Sequence, residues 1–257
     1  MIRFTKLHGN GNDFILIDEY DGEVIPDKPG FAATYCDRRF GIGADGALFL
    51  SKSDHADIRM RLFQPDRSEA EMCGNGIRCL VRYAIDEEYL SGAGTSTIET
   101  LAGVLTVAVD GEWIKVNMGT AVFDGIRELD GYEVYLTNTG VPHAVIFVDD
   151  LEIAIDEIAP AIRYAPVFPK GANVNFVRVE NDHEITIRTY ERGVEAETLS
   201  CGTGAVASAY VAHRTGKTGD RVVVHTAGGC LRISFADDGE AFMAGGAVRV
   251  YEGVVGV

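Results

Sequence analysis

Cys73-Gly74-Asn75-Gly76 and Cys201-Gly202-Thr203-Gly204 write the same pattern, Cys-Gly-X-Gly, twice in one chain, and each copy stands directly before a stretch that reads as a helix. The surroundings repeat as well. Gly103 and Gly119 lie 16 residues apart after the first copy, as do Gly229 and Gly245 after the second. Ahead of the cysteines, His8-Gly9 through Phe14-Ile15-Leu16-Ile17-Asp18 matches Thr139-Gly140 through Val145-Ile146-Phe147-Val148-Asp149. The three pairings keep their order at an offset of about 130 residues, half of the 257-residue chain. A solenoid needs short periods and at least three copies. One long repeat present twice predicts two related domains, with a cysteine from each forming a thiol and thiolate pair across a cleft.

The length suits one large domain or two ordinary ones, and 46% hydrophobic residues supply a core for each half. The formal charge is −16, from 39 acidic against 23 basic residues. Such a surface repels nucleic acid and anionic lipid, so neither is expected as a partner. The acid-rich, lysine-poor balance fits either adaptation to high salt or an ordinary acidic protein kept soluble by its charge. No apolar run reaches the roughly 20 residues that span a bilayer. The opening Met1-Ile2-Arg3-Phe4-Thr5 reads as a strand rather than a secretory signal. Five cysteines, an odd number, make no disulfide framework. These features predict a cytoplasmic protein with reduced thiols.

Short β-branched segments bounded by Gly, Asp and Asn predict strands at 14–17, 47–50, 58–63, 103–109, 114–118, 133–136 and 144–148, then at 174–179, 184–190, 222–225, 231–235 and 248–251. The long helices are expected at 76–90 and 204–214, with shorter ones at 30–36 and 151–165, the last interrupted by Pro160. The seam between domains falls near Gly119–Asp130. The fold class is α+β, one principal helix per half with a sheet wrapped around it.

A cysteine at a helix N-terminus sits beside unsatisfied N–H groups and the positive end of the dipole, and both favour thiolate. An ordinary thiol, with a pKa of about 8.5, is only a few per cent ionised at pH 7. One activated thiolate and one thiol make a base and an acid, and flanking glycines allow a carboxylate to approach the backbone. The plain alternative is two inert buried cysteines; Cys36, Cys79 and Cys230, outside any repeated turn, are expected to be of that kind. Cys73 and Cys79 lack zinc spacing. There is no Walker A loop or strand–GxGxxG–helix unit. His8-Gly9-Asn10-Gly11-Asn12 reads as a turn, and the six lysines offer no clear Schiff-base site.

Four segments together resemble the diaminopimelate epimerases: His8–Phe14, Glu71–Cys79, Gly171-Ala172-Asn173-Val174-Asn175-Phe176, and Glu191-Arg192-Gly193-Val194 through Gly204. The resemblance runs the whole length and implies a cofactor-independent enzyme that interconverts L,L- and meso-diaminopimelate on the route to lysine and cell-wall precursors. It implies two similar domains, 1–119 and 120–245, with a last strand at about 246–257 returning to the first, and a homodimer. It makes Cys73 and Cys201 the acid–base pair. Asn12, Gln64, Asn173, Glu191 and Arg192 would contact an amino-acid substrate, while Gly74-Asn75 and Gly202-Thr203 cradle its α-carboxylate. His143 and Glu191 would orient or tune the cysteines; no metal or cofactor is implied. Gln64, Val141 and Gly46 depart from the common pattern and bear on the distal end of the substrate. A proline-racemase-like enzyme and a thiol-sensing binding protein remain the alternatives.

Overall fold

The computed structural model of the protein describes residues 1–256. The chain divides into two compact units, Met1–Val116 with the segment from Gly245 onward, and Asn117–Ala244. In order, the chain runs β1 (Ile2–Gly9), β2 (Asn12–Asp18), α1 (Lys28–Tyr35), β3 (Gly46–Ser51), β4 (Ile58–Phe63), β5 (Glu69–Ala70), α2 (Gly74–Asp86), β6 (Gly94–Thr100), β7 (Gly103–Asp110) and β8 (Trp113–Thr120). It continues through β9 (Val122–Leu129), β10 (Tyr132–Asn138), β11 (Pro142–Phe147), α3 (Ile155–Arg163), β12 (Asn173–Asn181), β13 (Glu184–Glu191), β14 (Ala196–Thr198), α4 (Gly202–Arg214), β15 (Arg221–Thr226), β16 (Gly229–Phe235) and β17 (Glu240–Gly245). A final strand, β18 (Val248–Val255), belongs to the first unit.

The two sheets have one design. The first unit pairs its strands in the order β18-β1-β2-β3-β4-β6-β7-β8, with β2–β3 and β4–β6 parallel. The second pairs β9-β10-β11-β12-β13-β15-β16-β17, with β11–β12 and β13–β15 parallel. Even an irregularity recurs: the β1–β18 register slips between Lys6 and Leu7, and the β10–β9 register between Leu136 and Thr137. The duplication inferred from sequence is therefore present in the backbone.

The central strands β2 and β3, and β11 and β12, are buried on both faces, so they read as near-continuous apolar runs. Alternate side chains of a strand point to opposite faces. In the first unit Ile15, Ile17, Ala47 and Phe49 pack with Phe31 and Ala32 of α1, while Phe14 and Leu48 lie against Gly76 of α2. In the second, Ala144, Ile146, Val174 and Phe176 pack with Ile155, Ala159 and Ile162 of α3, which leaves His143 and Asn175 on the face toward α4. Full burial of each large aliphatic or Phe side chain contributes roughly 1.5–3 kcal/mol.

The strands β5, β6, β14 and β17 are absent from the sequence expectation, and two further features differ from it. Pro160 lies inside α3 and does not interrupt it. It has no N–H to give the Asp156 carbonyl, but Ile155, Ala159 and Ile162 form one buried stripe that holds the short helix down. The stretch expected as a seam contains β9, most of it exposed, paired to β10. Among the described residues no helix is long and apolar enough to cross a membrane.

Candidate active site

In the first unit, β1 and β2 are joined by a tight turn at Asn10-Gly11, both with positive φ (54° and 81°). That is the usual chemistry of a two-residue hairpin loop, and it delivers Asn12 to the start of β2. Cys73 N-caps α2 from an extended backbone (φ −145°), and its Sγ accepts the Gly76 N–H at 3.5 Å. The thiol is half-buried and lies 3.8 Å from Asn12 Oδ1, which also accepts from Asn75 Nδ2 at 3.2 Å. Asn12 is held in turn, its Nδ2 donating to Asp45 Oδ2 at 2.7 Å. Asp45 pairs with Arg38, and Arg38 with Asp13. Burial would raise Asp13, but hydrogen bonds from Arg38 and Lys6 outweigh it and hold its carboxyl at about 2. Asn75 is buried, and its Oδ1 has no partner among the described residues. The Gly74 and Asn75 N–H groups, in the first turn, have no intrahelical acceptor.

Beneath them, Arg78 is wholly buried, its Nη2 donating to Asn10 Oδ1 at 2.7 Å and its Nε to the Gly246 carbonyl at 3.3 Å. Burial pushes the guanidinium down, and the neighbouring Cys79 and Cys73 thiols oppose that shift. An arginine stays charged regardless, so α2 carries a fixed cation near Cys73. Val206 occupies the corresponding place in α4.

In the second unit Cys201 N-caps α4 in the same extended conformation (φ −117°), but it is buried, and its Sγ lies 3.5 Å from Thr203 Oγ1. Thr139 Oγ1 donates to the Thr203 carbonyl at 3.3 Å. His143 sits opposite Asn173 in the β11–β12 register. Asn173 Oδ1 accepts the Arg192 N–H at 2.8 Å, and Glu191 accepts from Thr198 Oγ1 at 2.8 Å. His143 is wholly enclosed: burial first, then the Arg192 charge, lowers it to about 3. Its tautomer is dictated locally. Asn175 Nδ2 donates to the Ala144 carbonyl and its Oδ1 accepts from Thr189 Oγ1, so the same Nδ2 must also donate to His143 Nδ1, 3.2 Å away. The proton therefore sits on Nε2, a buried donor that has no partner among the described residues.

Within each unit the residues named from sequence gather at the N-terminus of the central helix: Asn12, Cys73, Gly74 and Asn75 in one, Cys201, Gly202 and Thr203 in the other, with His143, Asn173 and Glu191 on the adjoining strands and Arg192 in the turn after β13. Gln64 is exposed in the turn that closes with Gln64 N–H on the Ser68 carbonyl. Sequence reading missed the Asp45–Arg38 anchor of Asn12, the Arg78 charge, and the Asn175–Thr189 pair behind His143. Arg78 and Asn175 lay inside the quoted motifs and could have been singled out as polar residues on buried faces. The remaining cysteines divide. Burial raises Cys36 to about 12 and Cys79 further still, as for inert structural thiols. Cys230 departs from the expectation, being exposed and 3.2 Å from a histidine nitrogen.

The diaminopimelate epimerase profile matches residues 4–123 and 135–250. The chain is 55% identical over 272 residues to a diaminopimelate epimerase of Methanothrix thermoacetophila, covering 99% of this chain and 96% of that protein. It is 54% identical to one from Methanocella arvoryzae, covering 100% and 97%. Among solved structures, a phenazine biosynthesis protein of the PhzF family from Bacillus anthracis superposes with a TM-score of 0.80 at 19% identity, over 100% of this chain and 99% of that one, a likeness of fold. With twin cysteine-capped helices in a duplicated fold and a match from end to end, this chain belongs to the diaminopimelate epimerase family.

Proposed function

We propose that the protein is a diaminopimelate epimerase that inverts one α-carbon by a two-base proton transfer between Cys73 and Cys201. The observation that carries the reading is that both cysteines cap the central helix of equivalent units, each beside N–H groups that suit a carboxylate. One thiolate removes the α-proton from one face of the substrate, and the opposite thiol delivers a proton to the other face. The protons balance, so the two side chains carry the reaction without a cofactor. An amino-acid α-proton is weakly acidic, and helix N-termini directed at the carboxylate stabilise the carbanion as it forms. The buried Arg78 charge adds positive potential near Cys73, where the second unit has Val206. Asn12, Gln64, Asn173, Glu191 and Arg192 are the proposed substrate contacts. His143, held as the Nε2–H tautomer, orients a thiol or a substrate group. The protein works in the cytoplasm as a homodimer, supplying lysine and cell-wall precursors.

The test is proton NMR of L,L-diaminopimelate with reduced enzyme in D2O, without pyridoxal phosphate or metal. Loss of the α-proton signal with appearance of the meso isomer is expected, and Cys73→Ser and Cys201→Ser should each abolish net inversion. Full activity in either variant would sink the two-base scheme.

A further inference from the structure

Glu184 of β13, His225 of β15 and Cys230 of β16 form a hydrogen-bonded row across three neighbouring strands. Register sets the row: His225 lies directly across from Cys230 in the β15–β16 pair, and across from Thr186, two residues beyond Glu184, in the β13–β15 pair. All three side chains therefore share one face of the sheet. His225 Nε2 is 3.2 Å from Glu184 Oε2, and its Nδ1 is 3.2 Å from Cys230 Sγ. A carboxylate only accepts, so Nε2 carries the hydrogen and Nδ1 is left facing the thiol as an acceptor. A nucleophile, a base within reach of it and a third group orienting the base are the geometric signature of an activated side chain.

The framework does not require this arrangement. By register the first unit has Glu99 where the second has His225 and Val104 where it has Cys230, and Glu99 pairs with Arg59 (2.7 Å), the counterpart of Thr186, an ordinary ion pair beside an apolar side chain. Nor is the row a metal site: among the described residues no group of three or more His, Cys, Asp or Glu is disposed to hold an ion. Cys230 is exposed, so a small molecule can reach the sulfur.

The geometry points to Cys230 as a reactive surface thiol that takes up low-molecular-weight disulfides, with His225 as its base and Glu184 orienting the base. In the reaction Cys230 gives its proton to His225 Nδ1, and the sulfur attacks one sulfur of the small disulfide. A new S–S bond forms at Cys230 as the reagent's own S–S bond breaks, and the departing thiolate takes the proton from His225. Cys230 is oxidised and half of the reagent is reduced, so no other oxidant is needed.

The experiment exposes the reduced, folded full-length chain to oxidised glutathione at pH 7 and quantifies the Cys230 mixed disulfide by peptide mass mapping. An unassisted thiol is only a few per cent thiolate at that pH. Base assistance, offset by the weaker nucleophilicity of a more acidic thiol, predicts about a three- to tenfold faster reaction than in His225→Gln. Glu184→Gln should fall between them, Cys230→Ser should remove the adduct from that peptide alone, and melting curves of all variants should coincide. The inference is overturned if Cys230 reacts no faster in the native protein than in His225→Gln or in the urea-unfolded chain. The readout is a site-resolved mass, so it stands or falls independently of epimerisation.

Discussion

Alanine in place of Gly76, and separately of Gly204, adds the same methyl group at equivalent points of the two cysteine motifs. Neither glycine has positive φ, so available space decides the outcome. At Gly76 the new carbon would meet Leu48 Cδ2 at 3.3 Å, Cys73 Cβ at 3.5 Å and Phe14 Cζ at 3.6 Å, neighbours that yield by a few tenths of an ångström. A helical Gly→Ala gain of up to about 1 kcal/mol opposes that cost, leaving the variant within about 1 kcal/mol of wild type. At Gly204 the carbon would stand 2.4 Å from Asn175 Oδ1, an atom already bonded to Thr189 on a side chain that also holds His143 and Ala144. Overpacking costs about 1–3 kcal/mol, and breaking a buried hydrogen bond about 1–3 kcal/mol more. After the helical gain, Gly204→Ala should be destabilised by about 1–5 kcal/mol, with about 3 kcal/mol as the central expectation. Urea unfolding followed by circular dichroism measures both variants. Adding Asn175→Ser to Gly204→Ala should recover part of the loss, the coupling expected of atoms in contact. Equal destabilisation at the two positions, or the reverse order, would refute the reasoning.

His143 stays neutral in the fold, with its pKa lowered to about 3, whereas the unfolded chain binds a proton below about 6.5. Its contribution to stability is therefore complete above pH 6.5 and lost as pH falls toward 3, by about 2 kcal/mol between pH 7 and 5. Urea titrations across that range should show the slope, and His143→Phe should flatten it; an unchanged slope would show that another group titrates. Asp45→Ala releases Asn12 Nδ2 and separates the Arg38–Asp13 pair from its anchor. A rise in KM of roughly tenfold, corresponding to about 1.4 kcal/mol, is expected in steady-state kinetics with a smaller change in kcat, and an unaltered KM would mean that Asn12 is placed without it.

The features legible in sequence were those governed by local chemistry. The paired Cys-Gly-X-Gly turns, the Asn10-Gly11 hairpin and the buried strands each carry their own signal over a few residues. β9 was invisible because most of its length faces water and it lacks the apolar alternation of a half-buried strand. Pro160 misled because a propensity rule was outweighed by three buried contacts on the same helix face. Asp45, Thr189 and the Glu184–His225–Cys230 row depend on strand register, which joins residues far apart in the chain. Register also separates the two half-sites chemically: where the first unit places Phe14 and Leu48, the second places His143 and Asn175. A repeat in sequence thus specifies a common scaffold, and the differences between copies specify the chemistry.

The return of β18 to the first unit has a consequence for the order of events at the ribosome. β1 lies between β2 and β18, and its second neighbour is encoded some 240 residues after it. Synthesis proceeds at about 5–20 residues per second, so β1, with Phe4 and Leu7 already apolar, waits many seconds with one edge unpaired. An open apolar edge is a site for pairing with another nascent chain. The unit encoded second has all its strands available before the unit encoded first is finished. The N-terminal half is thus the last to be closed, and a chain truncated before Val248 would carry a persistent sticky edge instead of a shortened tail.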